Sequence, residues 1–374
     1  MKYICADKQG TVKRIILSLF FCVIVLSLYS QVIKGTVYDS KTREGIPGVV
    51  IYLDGTSFFT TSDNDGKFQL FIENKINTKL VFSHLSYENL VIEKSYEHRG
   101  EAFFLKEKMN FIDPAIVVAE YDPLSRAEKL KIFKEFFLGT SVAANACVIL
   151  NEDDIKLRYD YLTDILHAWA YNPLIVENRY LGYRITIDIQ DFQVRYTYIS
   201  TATSFSTATS FSYQITSFFE DQNMYNDITI INRRNEIYER SREFFWLSII
   251  NKQRNSKFII YNRFTQITNI YDYFLVSEDP VQKVKAVFII PDTDLNRKHN
   301  DVNGNVFGVI SILANKRYNS EVIFMTNRFF VDLFGNVGTD SNIIYKGDMA
   351  QQRVGDMLPR DFFYDPHQVT RRRR

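Results

Sequence analysis

The run QVIKGTVYDSKTREGIPGVVIYLDGTSFFTTSDNDGKFQLF, residues 31–71, decides the fold of the N-terminal region. In it Ile33, Gly35 and Val37 alternate with Lys34, Thr36 and Tyr38, the period of two of a half-buried strand. Residues 49–53, VVIYL, are apolar almost without a break, which suits a strand covered on both faces. Between them Asp39-Ser40-Lys41-Thr42-Arg43-Glu44-Gly45 is a polar loop, and Ile46-Pro47-Gly48 sets the entry of the second strand. Asp65-Gly66, flanked by Thr60-Thr61 and by Phe68-Gln69-Leu70, is a hairpin signal because that dipeptide tolerates a twist-matching turn. The pattern as a whole predicts an antiparallel sandwich.

The order of these residues carries a family resemblance. Gly35-x-Val37-x-Asp39, then Gly45-x-Pro47, then a run from Ile51 or Tyr52 to Gly55-Thr56, then Thr60-Thr61 with Asp65-Gly66-x-Phe68, resembles the carboxypeptidase-regulatory-like domain. Ser83-His84-Leu85-Ser86-Tyr87 stands where that family carries S-x-x-G-Y, with Ser86 in the place of the glycine. The resemblance implies an Ig- or prealbumin-like β-sandwich of about seven strands. It also implies a Bacteroidetes cell-envelope setting, where such domains accompany outer-membrane receptors and proteins of unassigned role. Short runs at residues 80–82, 90–92 and 102–105 continue the sandwich, which is expected to span residues 31–119.

Upstream, Lys2, Lys8, Lys13 and Arg14 precede an apolar run at residues 15–28, and Ser30 offers a small residue before Gln31. That is the layout of a signal peptide over residues 1–30. An apolar run of about fourteen residues is short for a bilayer, so the mature chain is expected to have no permanent membrane span. Cys22 lacks the small neighbour of a lipoprotein cleavage site, and export leaves Cys147 as the remaining cysteine. One cysteine makes no internal disulfide, so the fold must rest on its core; with 46% hydrophobic and 15% aromatic residues the chain can supply more than one. The localisation expected is exported, either periplasmic or outer-membrane associated.

The full chain carries +1, and residues 1–30 hold four basic and one acidic side chain, which leaves the rest near −2. That balance gives no footing for nucleic-acid binding. The basic tail at residues 367–374, ending in four arginines, reads as a solvated end.

Asp122-Pro123 starts a connecting helix, expected over residues 120–140, with Ser125 and Glu128 as a second capping option and Gly139 as its terminator. Leu130, Phe133 and Phe137 recur at helical spacing. Residues 141–366 read as a second, β-rich domain: Ile165, His167 and Trp169 share one face, Ile185, Ile187 and Ile189 another, and Phe192, Val194, Tyr196 and Tyr198 a third. One packed helix is expected at residues 233–253, with Glu236 and Arg240 on its solvated side and Ile237, Ser241, Phe244 and Ser248 facing inward. No series of ten-residue alternating strands with aromatic girdles is present, so a complete transport barrel is not expected.

Several pieces of this region resemble the domain that follows the regulatory-like sandwich in many Bacteroidetes envelope proteins. They are Phe136-Phe137-Leu138-Gly139-Thr140-Ser141, Cys147-Val148-Ile149-Leu150-Asn151, Leu181-Gly182-Tyr183, Gly347-Asp348-Met349 and Arg353-Val354-Gly355-Asp356-Met357-Leu358-Pro359. The resemblance implies architecture and compartment, and no activity. Ser200-Thr201-Ala202-Thr203-Ser204-Phe205 recurs unchanged at residues 206–211, a tandem copy that lengthens a hairpin by an even number and so keeps strand facing.

Chemistry is sparse. His98-Arg99-Gly100-Glu101 has metal-ligand spacing, and a third ligand would come from His167, His299 or His367; a metallopeptidase is the enzymatic alternative this leaves open. It falls, however, in the module that carries no catalysis in the enzymes it resembles. Cys147 lacks a base beside it and reads as core. Asp292-Thr293-Asp294-Leu295-Asn296 opens like a calcium loop, but Arg297 and Asn303 occupy the places of its glycine and glutamate, and with Asp301, Gly304 and Asn305 the segment also reads as a plain turn. No catalytic, cofactor or metal residue is therefore assigned. The function expected is a non-catalytic binding or assembly protein of the bacterial cell envelope, with an outer-membrane protein or a polysaccharide as partner. An accessory of an outer-membrane nutrient-uptake receptor is the alternative.

Overall fold

The computed structural model describes residues 31–72, 76, 78–93, 102–108, 122–196, 208–223, 225–252, 257–262, 265–279, 284–290, 306–338 and 342–364. The signal segment, His98 and Glu101, Tyr198, the first copy of the repeat, the calcium-like loop, His299, His367 and the basic tail lie outside the described residues.

Seven strands build the sandwich: β1 (Gln31–Asp39), β2 (Val50–Leu53), β3 (Phe59–Thr61), β4 (Lys67–Ile72), β5 (Leu80–His84), β6 (Tyr87–Ile92) and β7 (Ala102–Leu105). They form two sheets, β4-β1-β7 and β3-β2-β5-β6, and all pairings are antiparallel except β1 with β7. The alternation read in β1 places Ile33 and Val37 in the core with Ile51, Leu53, Phe68, Phe82 and Phe103.

The Asp65-Gly66 turn differs from expectation. β3 and β4 belong to different sheets, so the turn carries the chain across the sandwich instead of closing a hairpin. Asp63 Oδ1 accepts from Asp65 N (3.0 Å) and Lys67 N (2.8 Å), which satisfies the turn locally. Gly66 has φ +79, and a Cβ there would lie 2.4 Å from the Val37 carbonyl oxygen and 2.9 Å from Gly45 Cα. Gly45 in turn would place a Cβ 2.1 Å from the Asp65 carbonyl oxygen. The two motif glycines are thus where two backbones cross in contact.

Beyond the sandwich the described residues form two further hydrophobic cores. The first gathers α1 (Arg126–Phe137), α2 (Val142–Asn145), β8 (Cys147–Ile149), β9 (Ile155–Asp160), β10 (Ile165–Ala170), β11 (Leu174–Asn178), β12 (Tyr183–Tyr196) and β13 (Ala208–Asp221). Helix α1 begins at Ser125 with a complete capping box to Glu128, and Gly139 follows its last turn at φ +94. Phe133 and Phe137 stack at 4.7 Å and pack on Phe192, so the connecting helix is part of this core.

The strand order is β8-β11-β12-β10-β9, with β13 along the other edge of β12. The two isoleucine and aromatic sets assigned to separate faces lie on one strand: β12 carries a bulge between Ile189 and Asp191. The extra residue shifts the phase by one, so Ile185, Ile187 and Ile189 and then Phe192, Val194 and Tyr196 all enter the same core. The second copy of the repeat enters β13, whose Ala208 pairs Tyr196 at the end of this hairpin.

Helix α3 (Ile228–Tyr238) adds Ile237 to the first core, and the last core contains α4 (Arg242–Ile250), β14 (Phe258–Asn262), β15 (Thr265–Gln266), β16 (Phe274–Asp279), β17 (Val284–Ile289), β18 (Gly308–Ala314), β19 (Tyr318–Phe324), β20 (Arg328–Val331), β21 (Ile343–Gly347) and α5 (Asp348–Gln351). Sheets β15-β14-β18-β19-β21 and β16-β17-β20 enclose α4, with Trp246 among Phe245, Phe274, Phe324 and Phe329.

The single helix expected at residues 233–253 is two helices. Ser241 is a fresh N-cap whose hydroxyl accepts from Phe244 N at 3.1 Å, and this break turns the chain from α3 into α4. Nor is Arg240 solvated: its guanidinium is held between Asp348 and Asp356. No helix among the described residues is long and apolar enough to cross a membrane.

Candidate functional site

The sandwich meets the β12–β13 hairpin across a small apolar patch of Tyr52, Val81 and Phe218. The Phe218 ring packs 5.0 Å from that of Tyr52 and 4.7 Å from that of Phe59. At the centre the Tyr52 hydroxyl donates to Asp188 Oδ2 (3.1 Å) and shares a 2.9 Å hydrogen bond with Thr216 Oγ1. Ser83 Oγ donates to the same carboxylate oxygen at 3.2 Å, and Asn89 also bonds to the carboxylate. Burial pushes the Asp188 carboxyl above its ordinary value, and these donors offset part of that. Backbone bonds complete the joint: Gly55 N donates to Ser217 O (2.6 Å) and Phe219 N to Thr56 O (2.9 Å), so the loop after β2 runs parallel along the edge of β13.

A cleft of about 240 Å³ opens where the three cores meet, between Asp54 and Gly55 of the sandwich, Tyr213 of β13, Tyr238 and Arg242 at the helix break, and Arg360. It continues into a second space of about 270 Å³ that shares Arg242, Glu243, Asn336 and Arg360 and ends at Tyr345. Its charges answer one another. Arg242 Nε donates to Glu243 Oε1 at 2.8 Å, Asn336 Nδ2 donates to Asp332 Oδ2 (2.9 Å) and the Arg360 carbonyl (3.0 Å), and Arg360 favours the ionised forms of Asp54 and Glu243. Burial still holds Asp54 above the usual carboxylate value. Tyr345, which accepts from Trp246 Nε1 at 2.8 Å, is pushed up to about 12 by burial. This arrangement joins three bodies, and no nucleophile with a base beside it lines it among the described residues.

The motifs quoted from the second region converge beside this cleft and serve the same joint. Gly355 N donates to Leu138 O (2.9 Å), and Asn178 Nδ2 donates to Gly355 O (2.9 Å). A Cβ on Gly355 would lie 2.4 Å from Ala144 Cα. Arg240 reaches Asp348 and Asp356 at 3.3 Å each, tying α3 to both C-terminal motifs. Arg234 donates to both oxygens of Asp221 (2.8 and 2.7 Å) and to the Leu181 and Gly182 carbonyls, and lies 3.8 Å over the Tyr183 ring.

Of the residues considered for chemistry, Cys147 donates its thiol to Ala143 O at 3.3 Å, and burial pushes it up to about 12, the reverse of an activated nucleophile. Asp39, the acidic member of the first motif, accepts from Lys41 N (2.6 Å), Thr42 N (2.9 Å) and the Tyr87 hydroxyl (3.0 Å), so it shapes the loop after β1. The described residues contain no group of three His, Cys, Asp or Glu side chains placed to hold a metal. His167 lies on the face of β10 turned away from the core, beside Trp169, in a depression that also involves Arg158, Gln190 and Asp191. The sequence offered the pair His167 and Trp169 but not their neighbours, because those come from β9 and from the bulge in β12.

A two-sheet, seven-stranded sandwich seated by its β2–β5 face on a β-rich unit defines the class: an Ig-like module joined to a larger β-rich unit. Residues 33–117 match the family described as CarboxypepD_reg-like domain, and this segment is a carboxypeptidase-regulatory-like domain. Comparison with curated proteins gave no match to the chain.

Proposed function

We propose that this chain is an exported, non-catalytic binding or assembly protein of the bacterial cell envelope, located in the periplasm or at the outer membrane. The carrying observation is a division of labour among its polar groups. Those at the junctions are spent on one another, as in Tyr52 with Asp188 and Arg240 with Asp348 and Asp356. The face of the β9–β10–β12 sheet turned away from the core instead gathers Arg158, His167 and Trp169 in one depression, where Arg158 and His167 interact with each other and with Asp160 by charge alone. A platform that presents such a face suits recognition.

The test is made on a tagged full chain, fractionated from cells and then incubated at stoichiometric amounts with a peptide library, with and without chelator. Recovery in the envelope or periplasmic fraction with no peptide turnover is the expected result. Chelator-sensitive cleavage that disappears in His98→Ala would replace this reading with the metallopeptidase one, and recovery in the cytoplasm would remove the compartment.

A further inference from the structure

The depression on β10 has the composition of a saccharide subsite. Its floor is Trp169, one of two tryptophans in the chain. The other, Trp246, is fully buried and hydrogen-bonded inside the last core. Trp169 is partly exposed, faces away from the core because Leu166 and Ala168 take the inward positions, and has no ring partner among the described residues. Pyranose rings present a flat face of C–H bonds, and an indole is the largest flat apolar surface that a protein can set against it while its N–H stays available as a donor.

Around this ring stand groups able to bond to vicinal hydroxyls. The strand register puts His167 between Arg158 of β9 and Gln193 of β12, and Trp169 opposite Lys156. The bulge in β12 adds Gln190 and Asp191 to the rim, a known use of bulges being to re-aim side chains next to a site. Gln193 Nε2 donates to both Asp191 oxygens (3.1 and 3.3 Å), which fixes the carboxylate as an acceptor. The side chains of Arg158, His167 and Gln190 make no hydrogen bond with another described residue. Desolvation and the Arg158 charge lower the His167 pKa, so the imidazole is neutral at pH 7 and carries one donor and one acceptor. Planar donors and acceptors of both signs beside a partly exposed aromatic ring are what a polyhydroxylated ligand needs, whereas a membrane or nucleic acid would call for a uniformly basic face.

We infer that this depression binds a saccharide, with one sugar ring stacked on Trp169 and its hydroxyls bonded to Asp191, His167 and Arg158. The inference rests on the binding reading above and names its ligand class. The space measures about 290 Å³, at the lower edge of the roughly 300–1,000 Å³ of small-molecule sites. It therefore takes one or two units of a longer chain, the remainder lying in solvent.

Intrinsic fluorescence tests this directly, because Trp246 is sealed and Trp169 is the accessible reporter. The full chain is titrated with soluble gluco-, manno-, xylo-, arabino- and galacturono-oligosaccharides, and each positive is repeated by calorimetry. A saturable fluorescence change with at least one series is expected. Trp169→Ala should weaken that affinity at least about tenfold, Trp169→Phe by less, and Asp191→Asn by an intermediate factor, all with the wild-type melting temperature. Absence of saturable binding across the panel, or binding that survives Trp169→Ala unchanged, overturns the inference. Either result, without peptide turnover, leaves the non-catalytic reading standing; turnover without saccharide binding ends both.

Discussion

Replacing Tyr52 by phenylalanine removes one hydroxyl from the joint between the sandwich and the β12–β13 hairpin and leaves its apolar contacts in place. The ring keeps its packing on Phe218, whereas Asp188 loses a donor at 3.1 Å and Thr216 loses a partner at 2.9 Å. A hydrogen bond to an ionised group contributes about 1.5–3 kcal/mol net, so a loss of about 2 kcal/mol at neutral pH is expected. The loss must depend on pH. Asp188 has its pKa raised above 3.8 by burial, so the docked state holds the proton more tightly than the unfolded chain. Its contribution is fully present below the unfolded value and is lost as pH rises through the docked one. Removing a donor that favoured the charged form raises the docked pKa further. As pH falls through the docked value, the carboxyl becomes neutral and the difference between wild type and variant should narrow to about 1 kcal/mol. Urea unfolding of both proteins, followed by circular dichroism at neutral pH and in acid, measures this. A difference below about 0.5 kcal/mol at neutral pH, or one that fails to shrink in acid, would refute the reasoning.

Other perturbations read the remaining joints. Arg240→Ala strands Asp348 and Asp356, which are largely buried, and should cost about 3–5 kcal/mol in urea unfolding; a cost under about 1 kcal/mol would show that the pairs are solvated. Gly66→Ala places a methyl against the Val37 carbonyl at positive φ, so a loss of at least about 2 kcal/mol is expected from thermal melts. Cys147 should resist maleimide at about pH 8 in the native chain and react once unfolded, as read by mass spectrometry of its peptide; rapid native labelling would contradict its burial.

The sandwich was legible because its signals are local. The alternation in β1, the capping box at Ser125 and the glycine after α1 each act within a few residues. The unbroken run at residues 49–53 even anticipated that β2 is covered on both faces: Ile51 enters the sandwich core, while Tyr52 is sealed by the hairpin. Where local and tertiary demands diverge, sequence reading failed. Asp65-Gly66 has hairpin chemistry, but the crossing with Gly45 sends it between sheets. Six apolar and aromatic positions looked like two faces because one bulged residue between them leaves no compositional mark. The helix break at Ser241 needed recognition of a serine as a cap inside an apolar pattern, and Arg240 looked solvated because Asp348 and Asp356 lie more than a hundred residues away. The saccharide depression is assembled from three strands, so its pieces were visible only as isolated residues.

The contact of Gly55 and Thr56 with β13 has a consequence for how the chain avoids associating with itself. Among the described residues β13 is an outermost strand of its sheet, and an outermost strand with free amides and carbonyls recruits strands from other molecules. Here the N-terminal module lays its own backbone against residues 217–219 and takes up two of those bonds, Gly55 N to Ser217 O and Phe219 N to Thr56 O. The module thus acts as an edge guard for the unit that follows it. A chain shortened to start at Asp122 would expose that ribbon and gather into oligomers, and supplying the sandwich as a separate polypeptide should disperse them again.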